Sequence, residues 1–157
     1  MLTVEEYLDR VVALARPLRS EPCAVGTGFG RVLDEDLVAR FAVPPFDNSA
    51  MDGFAVRAAD VADGPTRLKV VGDIPAGAAS APTVGPGEAA RIMTGAPMPP
   101  GADAVVMVED TDQEQGDVPL PESVAVVPVA PGKNVRFAGE DVAVGDLVLR
   151  AGERWTP

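Results

Sequence analysis

Four side chains able to bind or catalyse crowd one short stretch. Asp47, Asn48, Ser49 and Asp52 lie within Pro44-Pro45-Phe46-Asp47-Asn48-Ser49-Ala50-Met51-Asp52-Gly53-Phe54-Ala55-Val56, set between two apolar segments. A loop that only reverses the chain needs a single Asx or Gly residue, so a cluster this dense is costly unless it is used. The spacing is wrong for calcium: counted from Asp47, the place where an EF-hand puts a bidentate Glu is held by Ala58. For Asn48 and Ser49 two readings stand side by side, turns in which the side chains bond their own backbone, or hydrogen bonds offered to a ligand. Asp52 differs in kind. Gly53 follows it and can supply positive φ, so a tight turn is expected to present the carboxylate.

A second knot runs Ile92-Met93-Thr94-Gly95-Ala96-Pro97-Met98-Pro99-Pro100-Gly101-Ala102-Asp103-Ala104-Val105-Val106, its backbone stiffened by three prolines and freed at two glycines. Thr94 before Gly95 lets a hydroxyl and a bare backbone approach a ligand closely, or lets the Thr cap its own turn. Glu140 and Asp141 adjoin Gly139, with Arg136 and Lys133 nearby. They read as a local ion-pair network, or as a share of a Mg²⁺ site that two acids alone cannot complete.

The rest of the composition removes other chemistries. With no His there is no self-contained Ser-His-Asp or Cys-His centre, and the lone Cys23 allows neither an internal disulfide nor a Cys/His zinc site. A formal charge of −11 repels nucleic-acid phosphates and anionic membranes, so neither is an expected partner. The start Met1-Leu2-Thr3-Val4-Glu5-Glu6 lacks the pattern of a signal peptide, and no apolar run reaches membrane length, which points to a soluble cytoplasmic protein. At 157 residues and 46% hydrophobic the chain can bury one real core or two small ones, built from Val, Ala, Leu and Ile because aromatics are only 4%.

The elements that would position these residues are mainly β with one N-terminal helix. Thr3 and Glu6 form a capping box, Leu8, Val11, Val12 and Ala15 keep one helical face, and Pro17 stops the helix. That stripe must cover something, either its own sheet or another subunit. Gly26-Thr27-Gly28-Phe29-Gly30-Arg31 fails as a dinucleotide fingerprint, since Arg31 stands where the motif needs Gly and no βαβ unit surrounds it. Residues 31–33 read as a turn of helix leading to a strand at 37–39. Val- and Ala-rich segments at 68–71, 104–108 and 123–129 read as strands, the acidic stretch 109–117 as an exposed hairpin loop, and 142–150 as a tight hairpin around Gly145. The many Gly and Pro residues, 16 of each, punctuate short strands and exclude a helical bundle. The expected organisation is a compact β domain at 48–135 inserted into a discontinuous, elongated domain made of 1–47 and 136–157.

The two knots, together with Gly30-Arg31-Val32-Leu33-Asp34-Glu35-Asp36 and Asn134-Val135-Arg136-Phe137-Ala138-Gly139-Glu140-Asp141, resemble the N-terminal region of the molybdopterin molybdenumtransferase family, the MoeA-like enzymes and the matching domain of gephyrin. The likeness covers nearly the whole chain. It implies the inserted-domain arrangement and a front portion that precedes a molybdopterin-binding domain and a C-terminal domain. It implies the last step of molybdenum cofactor assembly: adenylylated molybdopterin is cleaved, molybdate enters its dithiolene, AMP leaves, and Mg²⁺ neutralises phosphate charge. By the same likeness Asp52 and Thr94 are the catalytic residues at the cleft; from their own types Asn48, Ser49 and Gly95 are expected to contact substrate, and Glu140 and Asp141 to contribute to metal binding. A homodimer sharing its active site across subunits is implied, with a molybdopterin adenylyltransferase upstream and little activity for these residues alone. The alternative from another class is a non-catalytic dimerisation or interaction module of the same descent.

Overall fold

The computed structural model describes residues 2–16, 18–114, 116 and 118–156. Pro17, expected to stop the helix, and Gln115 and Asp117 of the acidic stretch lie outside the described residues. Those described hold one α-helix and nine short strands, so the fold is mainly β with an N-terminal helix.

The chain forms two compact units, Met1–Leu37 with Leu147–Pro157, and Val38–Asp146. The division falls outward of the positions 47/48 and 135/136 because the flanking segments bond each other within the central unit. Val43 bridges Val142, Ala39 N–H donates to Asp146 O, and Gly139 N–H donates to Pro44 O.

In the first unit, α1 (Val4–Leu14) begins with the expected reciprocal cap: Glu6 N–H donates to Thr3 Oγ1 at 3.2 Å and Thr3 N–H to Glu6 Oε2 at 2.9 Å. Its apolar stripe is left open. No described residue of the helix is buried, and Tyr7, Leu8, Val11 and Val12 remain 45–62% exposed. After a 3₁₀ turn at Val25–Thr27, Gly28 lies so close under Trp155 that a Cβ would stand 2.6 Å from the ring. Residues 31–33 form no helix; Val32 bridges Arg154. Strand β1 (Leu37–Val38) pairs with β9 (Leu147–Leu149), so the tail expected as a hairpin joins the front of the chain.

The central unit is built on five strands, β3 (Gly53–Val56), β4 (Thr66–Ile74), β5 (Glu88–Ile92), β6 (Ala104–Met107) and β7 (Ser123–Val126), in the order β6-β3-β5-β4-β7. All neighbours are antiparallel except β4 and β5. Both faces of the sheet are covered. On β3, Phe54 and Val56 join one apolar cluster with Leu68, Val106, Val124 and Val126, while Ala55 joins the other with Ile74, Val84, Ile92 and Val105. Each large aliphatic or aromatic side chain buried in this way contributes about 2 kcal/mol. Two further strands, β2 (Asn48–Ser49) and β8 (Val135–Arg136), pair antiparallel beside the sheet.

The acidic stretch after β6 does not join β6 and β7 as paired strands of a hairpin. β6 and β7 are opposite edges of the sheet, and a 3₁₀ turn at Val108–Asp110 carries the chain between them. Thr111 bridges Val126, Asp112 N–H donates to Ala125 O at 3.2 Å, and Ala125 N–H donates back to Asp112 Oδ1 at 2.9 Å. The chain beyond β6 thus covers part of the β7 edge, which satisfies backbone groups that would otherwise face solvent. Arg67 Nη2 donates to Asp112 Oδ2 at 2.7 Å across the same seam.

Two expectations follow for stability. Gly53 sits so near the partner strand that a Cβ would lie 2.0 Å from Val106 O. Because that obstacle is backbone, Gly53→Ala should cost about 3 kcal/mol in denaturant unfolding; a loss below about 1 kcal/mol would mean that β3 and β6 can slide apart. At the seam, donation from Gln113, Ala125 N–H and Arg67 holds the Asp112 carboxyl at about 2, below its ordinary 3.8. A depressed folded pKa stabilises above the unfolded value and is lost as pH falls through the folded one. Asp112→Ala should lower the thermal midpoint at pH 7, and the gap to the unaltered chain should shrink as pH drops from about 4 to about 2; a gap independent of pH would assign the effect to packing.

Candidate functional site

Antiparallel pairing sets Gly53 opposite Ile92, so the residue that precedes β3 meets the residues that follow β5. This brings Asp52 against Thr94. Thr94 N–H donates to Asp52 Oδ1 at 2.7 Å and Thr94 Oγ1 donates to the same oxygen at 2.8 Å. The Thr94 amide first, then its hydroxyl, hold the Asp52 carboxyl below the usual carboxylate range against a small opposing effect of burial. Asp52 is thus a fixed anion at neutral pH, and its Oδ2 takes no hydrogen bond from the described residues. Its backbone is held as well, with Val108 N–H donating to Asp52 O at 3.1 Å.

Gly53 does not supply the positive φ expected of it. Its lack of a side chain serves the close approach of Val106. The positive φ is at Gly95, 79°, where a Cβ would meet nothing within 4 Å, so the dihedral alone calls for glycine there.

The two polar loops are laced together by backbone. Ser49 N–H donates to Ala96 O at 3.0 Å, Gly95 N–H to Ser49 O at 2.8 Å and Met98 N–H to Asp47 O at 2.9 Å. Asn48 and Ser49, expected to contact substrate, are buried, Ser49 with 0% exposure. Ser49 Oγ bonds Met51 O and accepts from Met51 N–H at 3.3 Å, and Asn48 Nδ2 donates to Phe46 O at 3.0 Å. As placed, these side chains hold the loop, which is the first of the two readings their types allowed. Asp47 likewise accepts from Ala138 N–H at 2.8 Å.

Glu140 and Asp141 both bond Arg136, the first from Nε at 2.8 Å and the second from Nη2. The Arg136 guanidinium lowers the Glu140 pKa, with help from Phe137 N–H. Mg²⁺ needs oxygens that are free to coordinate. A guanidinium between the two acids takes that place, so the pair does not fit as a metal site, and Asp52 with one uncommitted oxygen is too little to hold the ion. Among the described residues no cluster of three acidic, Cys or His groups is arranged for a metal.

Beside Asp52 opens a cavity of about 540 Å³, lined by Phe54, Ile92, Met93 and Val108 and, from the following stretch, by Gln113, Glu114, Gly116, Val118 and Pro121. Arg91 also lines it, a residue to which sequence reasoning gave no role. Its guanidinium is oriented by Asp73, Nε to Oδ1 at 3.0 Å, and by Val118 O, which accepts from Nη1 at 2.7 Å. The signal was present: Arg91 is the single cation in the strand Glu-Ala-Ala-Arg-Ile, whose other central residues are buried. A fixed carboxylate beside a lining of mixed polar and apolar groups suits a polar ligand.

The family model described as "MoeA N-terminal region (domain I and II)" matches residues 2–157. A molybdopterin molybdenumtransferase 2 of Mycobacterium tuberculosis is 46% identical over 162 residues, and a molybdopterin molybdenumtransferase of Bacillus subtilis is 40% identical over 164 residues. The alignments take in 100% and 99% of this chain, but only 38% and 37% of those relatives, so the chain spans well under half their length. The crystal structure of a molybdopterin biosynthesis moeA protein from Pyrococcus horikoshii superposes with a TM-score of 0.77 at 40% identity, covering 87% of this chain and 36% of that one. The chain belongs to the MoeA N-terminal family.

Proposed function

We propose that this chain serves as the front portion of a cytoplasmic molybdopterin molybdenumtransferase, in which adenylylated molybdopterin is cleaved, molybdate enters the dithiolene and AMP is released. The observation that carries the reading is the Asp52–Thr94 pair, of which Asp52 lines the cavity. Two donors converge on one carboxylate oxygen and leave the other for a ligand. A carboxylate held below its ordinary pKa is a poor proton acceptor, so Asp52 acts as a fixed charge that orients the adenylate or its attacking water. Thr94 keeps it ionised and aimed.

The pterin and dithiolene are gripped by portions of the protein that the relatives carry beyond the matched region, and these residues alone are expected to be inactive. Mg²⁺ has no site among the side chains described, and the reading routes no step through one. The adenylate arrives from a molybdopterin adenylyltransferase. The central unit acts as the inserted β domain, and the paired ends of the chain act as the second domain.

A further part of the reading rests on α1. An apolar helix face left open, with Leu8 and Val12 59% and 61% exposed, suits a subunit contact, so the active protein is a homodimer with its site shared across subunits. An interaction module of the same descent would use the same face without the chemistry.

Two outcomes test these proposals in the longer protein. Asp52→Asn keeps shape and removes charge; molybdenum insertion should fall roughly 10²-fold with the thermal midpoint almost unchanged. If insertion stays normal while stability drops by about 1 kcal/mol, Asp52 only holds its turn and the module reading takes over. Leu8→Glu with Val12→Glu should turn a dimer into a monomer in sedimentation while the β unit stays folded. An unchanged dimer, or a monomeric parent, removes α1 from the interface.

A further inference from the structure

Of the described residues with positive φ, eleven are glycine and the twelfth is Asn134, at 57°. Asn enters this region more readily than most residues, yet glycine does so at no steric cost. A turn that needed only the dihedral would use glycine, as the neighbouring turns do at Gly132 and Gly139. Something at 134 requires the amide.

Its polar groups reach two different elements. Nδ2 donates to Val105 O on β6 at 2.9 Å, and the main-chain oxygen accepts from Ala50 N–H, also at 2.9 Å. The residues on either side repeat the pattern: Val105 N–H donates to Lys133 O at 3.0 Å, and Val135 pairs with Ser49. Residues 133–135 are therefore a bridge between β6 and β2. Two residues beyond Ala50 stands Asp52, and β6 runs on to Val108, whose N–H bonds Asp52 O. Both the segment that delivers Asp52 and the segment that backs it are tied to this one turn.

We propose that Asn134 is a positioning residue for Asp52, fixing the Ala50 peptide against β6 and thereby setting where the Asp52 carboxylate meets Thr94. The residue type follows. Glycine would adopt the dihedral but cannot bond Val105 O, and aspartate, matched in shape, would set a carboxylate against that carbonyl with no proton to share. The importance of this for chemistry rests on the function proposed for Asp52; the positioning itself does not.

The experiment uses the present chain and needs no catalysis. The Asp52 carboxyl is titrated by ¹³C NMR, and the Thr94 amide proton is followed, in the unaltered chain and in Asn134→Gly and Asn134→Asp. Gly132→Ala serves as a control that strains the same turn, whose φ at Gly132 is 76°, without touching the amide. Both Asn134 variants should stay folded, with the Asp52 midpoint rising toward the ordinary carboxylate range and the Thr94 amide shifted, while Gly132→Ala leaves both in place. A folded Asn134→Gly with unchanged Asp52 and Thr94 signals overturns the proposal, whatever Asp52→Asn does to insertion in the longer protein. Loss of fold in both Asn134 variants also overturns it, since the residue would then hold the unit as a whole. Normal insertion by Asp52→Asn would defeat the proposed function and leave the NMR result standing.

Discussion

Asp52 and Thr94 are 42 residues apart in the chain, and the two hydrogen bonds between them depend on how the strands of the central unit pair. Those bonds require the loop before β3 and the loop after β5 to end in register, within a few tenths of an ångström. Strand pairing sets that register coarsely through Gly53 opposite Ile92. A slip of one residue would turn Phe54 away from its cluster and Ala55 into it, so packing on two covered faces forbids the slip. The lacing of Ser49 to Gly95 and Ala96 sets the register finely.

The two covered faces explain the composition in turn. β3 and β6, packed on both sides, have no room for alternation of polar and apolar residues, whereas β4 and β7 on the other side of the sheet alternate. Ala55, Ala89, Ala90 and Ala104 are all fully buried, and Phe54 is the aromatic at the centre of one cluster. Gly53 is the extreme case, since β3 and β6 approach too closely for any side chain there. The same crowding that stabilises the sheet immobilises the backbone of Asp52 next door.

Electrostatics follow from this frame. In a chain of net charge −11, most acids are spent on backbone N–H groups or on arginines: Asp47 on Ala138, Asp103 on Ala58, Asp73 on Arg91, Glu140 and Asp141 on Arg136. Exposed pairs of this kind add little stability. Their effect is directional, since each fixes a turn or a guanidinium. Asp52 differs from these in receiving both its donors on one oxygen and lining a cavity with the other side of its residue.

Much of this was legible in the residues themselves. The helix and its cap were legible because Thr3, Glu6 and the following periodicity act over one or two turns, and three strands were legible as Val-rich runs. Asp52 and Thr94 stood out because local turn chemistry does not need so many polar groups. β3 and β5 were hidden: one follows directly on the polar cluster, and the other carries Ala and Arg where a strand usually shows branched residues. What sequence could not decide was long-range pairing. Whether 109–117 joins paired strands of a hairpin or opposite edges of a sheet depends on which strands lie at the edges, and whether 142–150 folds on itself depends on the competing partner at 37–38. Ser49 shows the same limit at one side chain. By type it could have faced a ligand or its own backbone, and only burial between two loops, which removes water as a partner, directed its hydroxyl to Met51. The sequence by itself determined which groups were available for chemistry; tertiary structure decided which of them remain uncommitted, because each hydrogen bond made in folding removes one group from those a ligand can use.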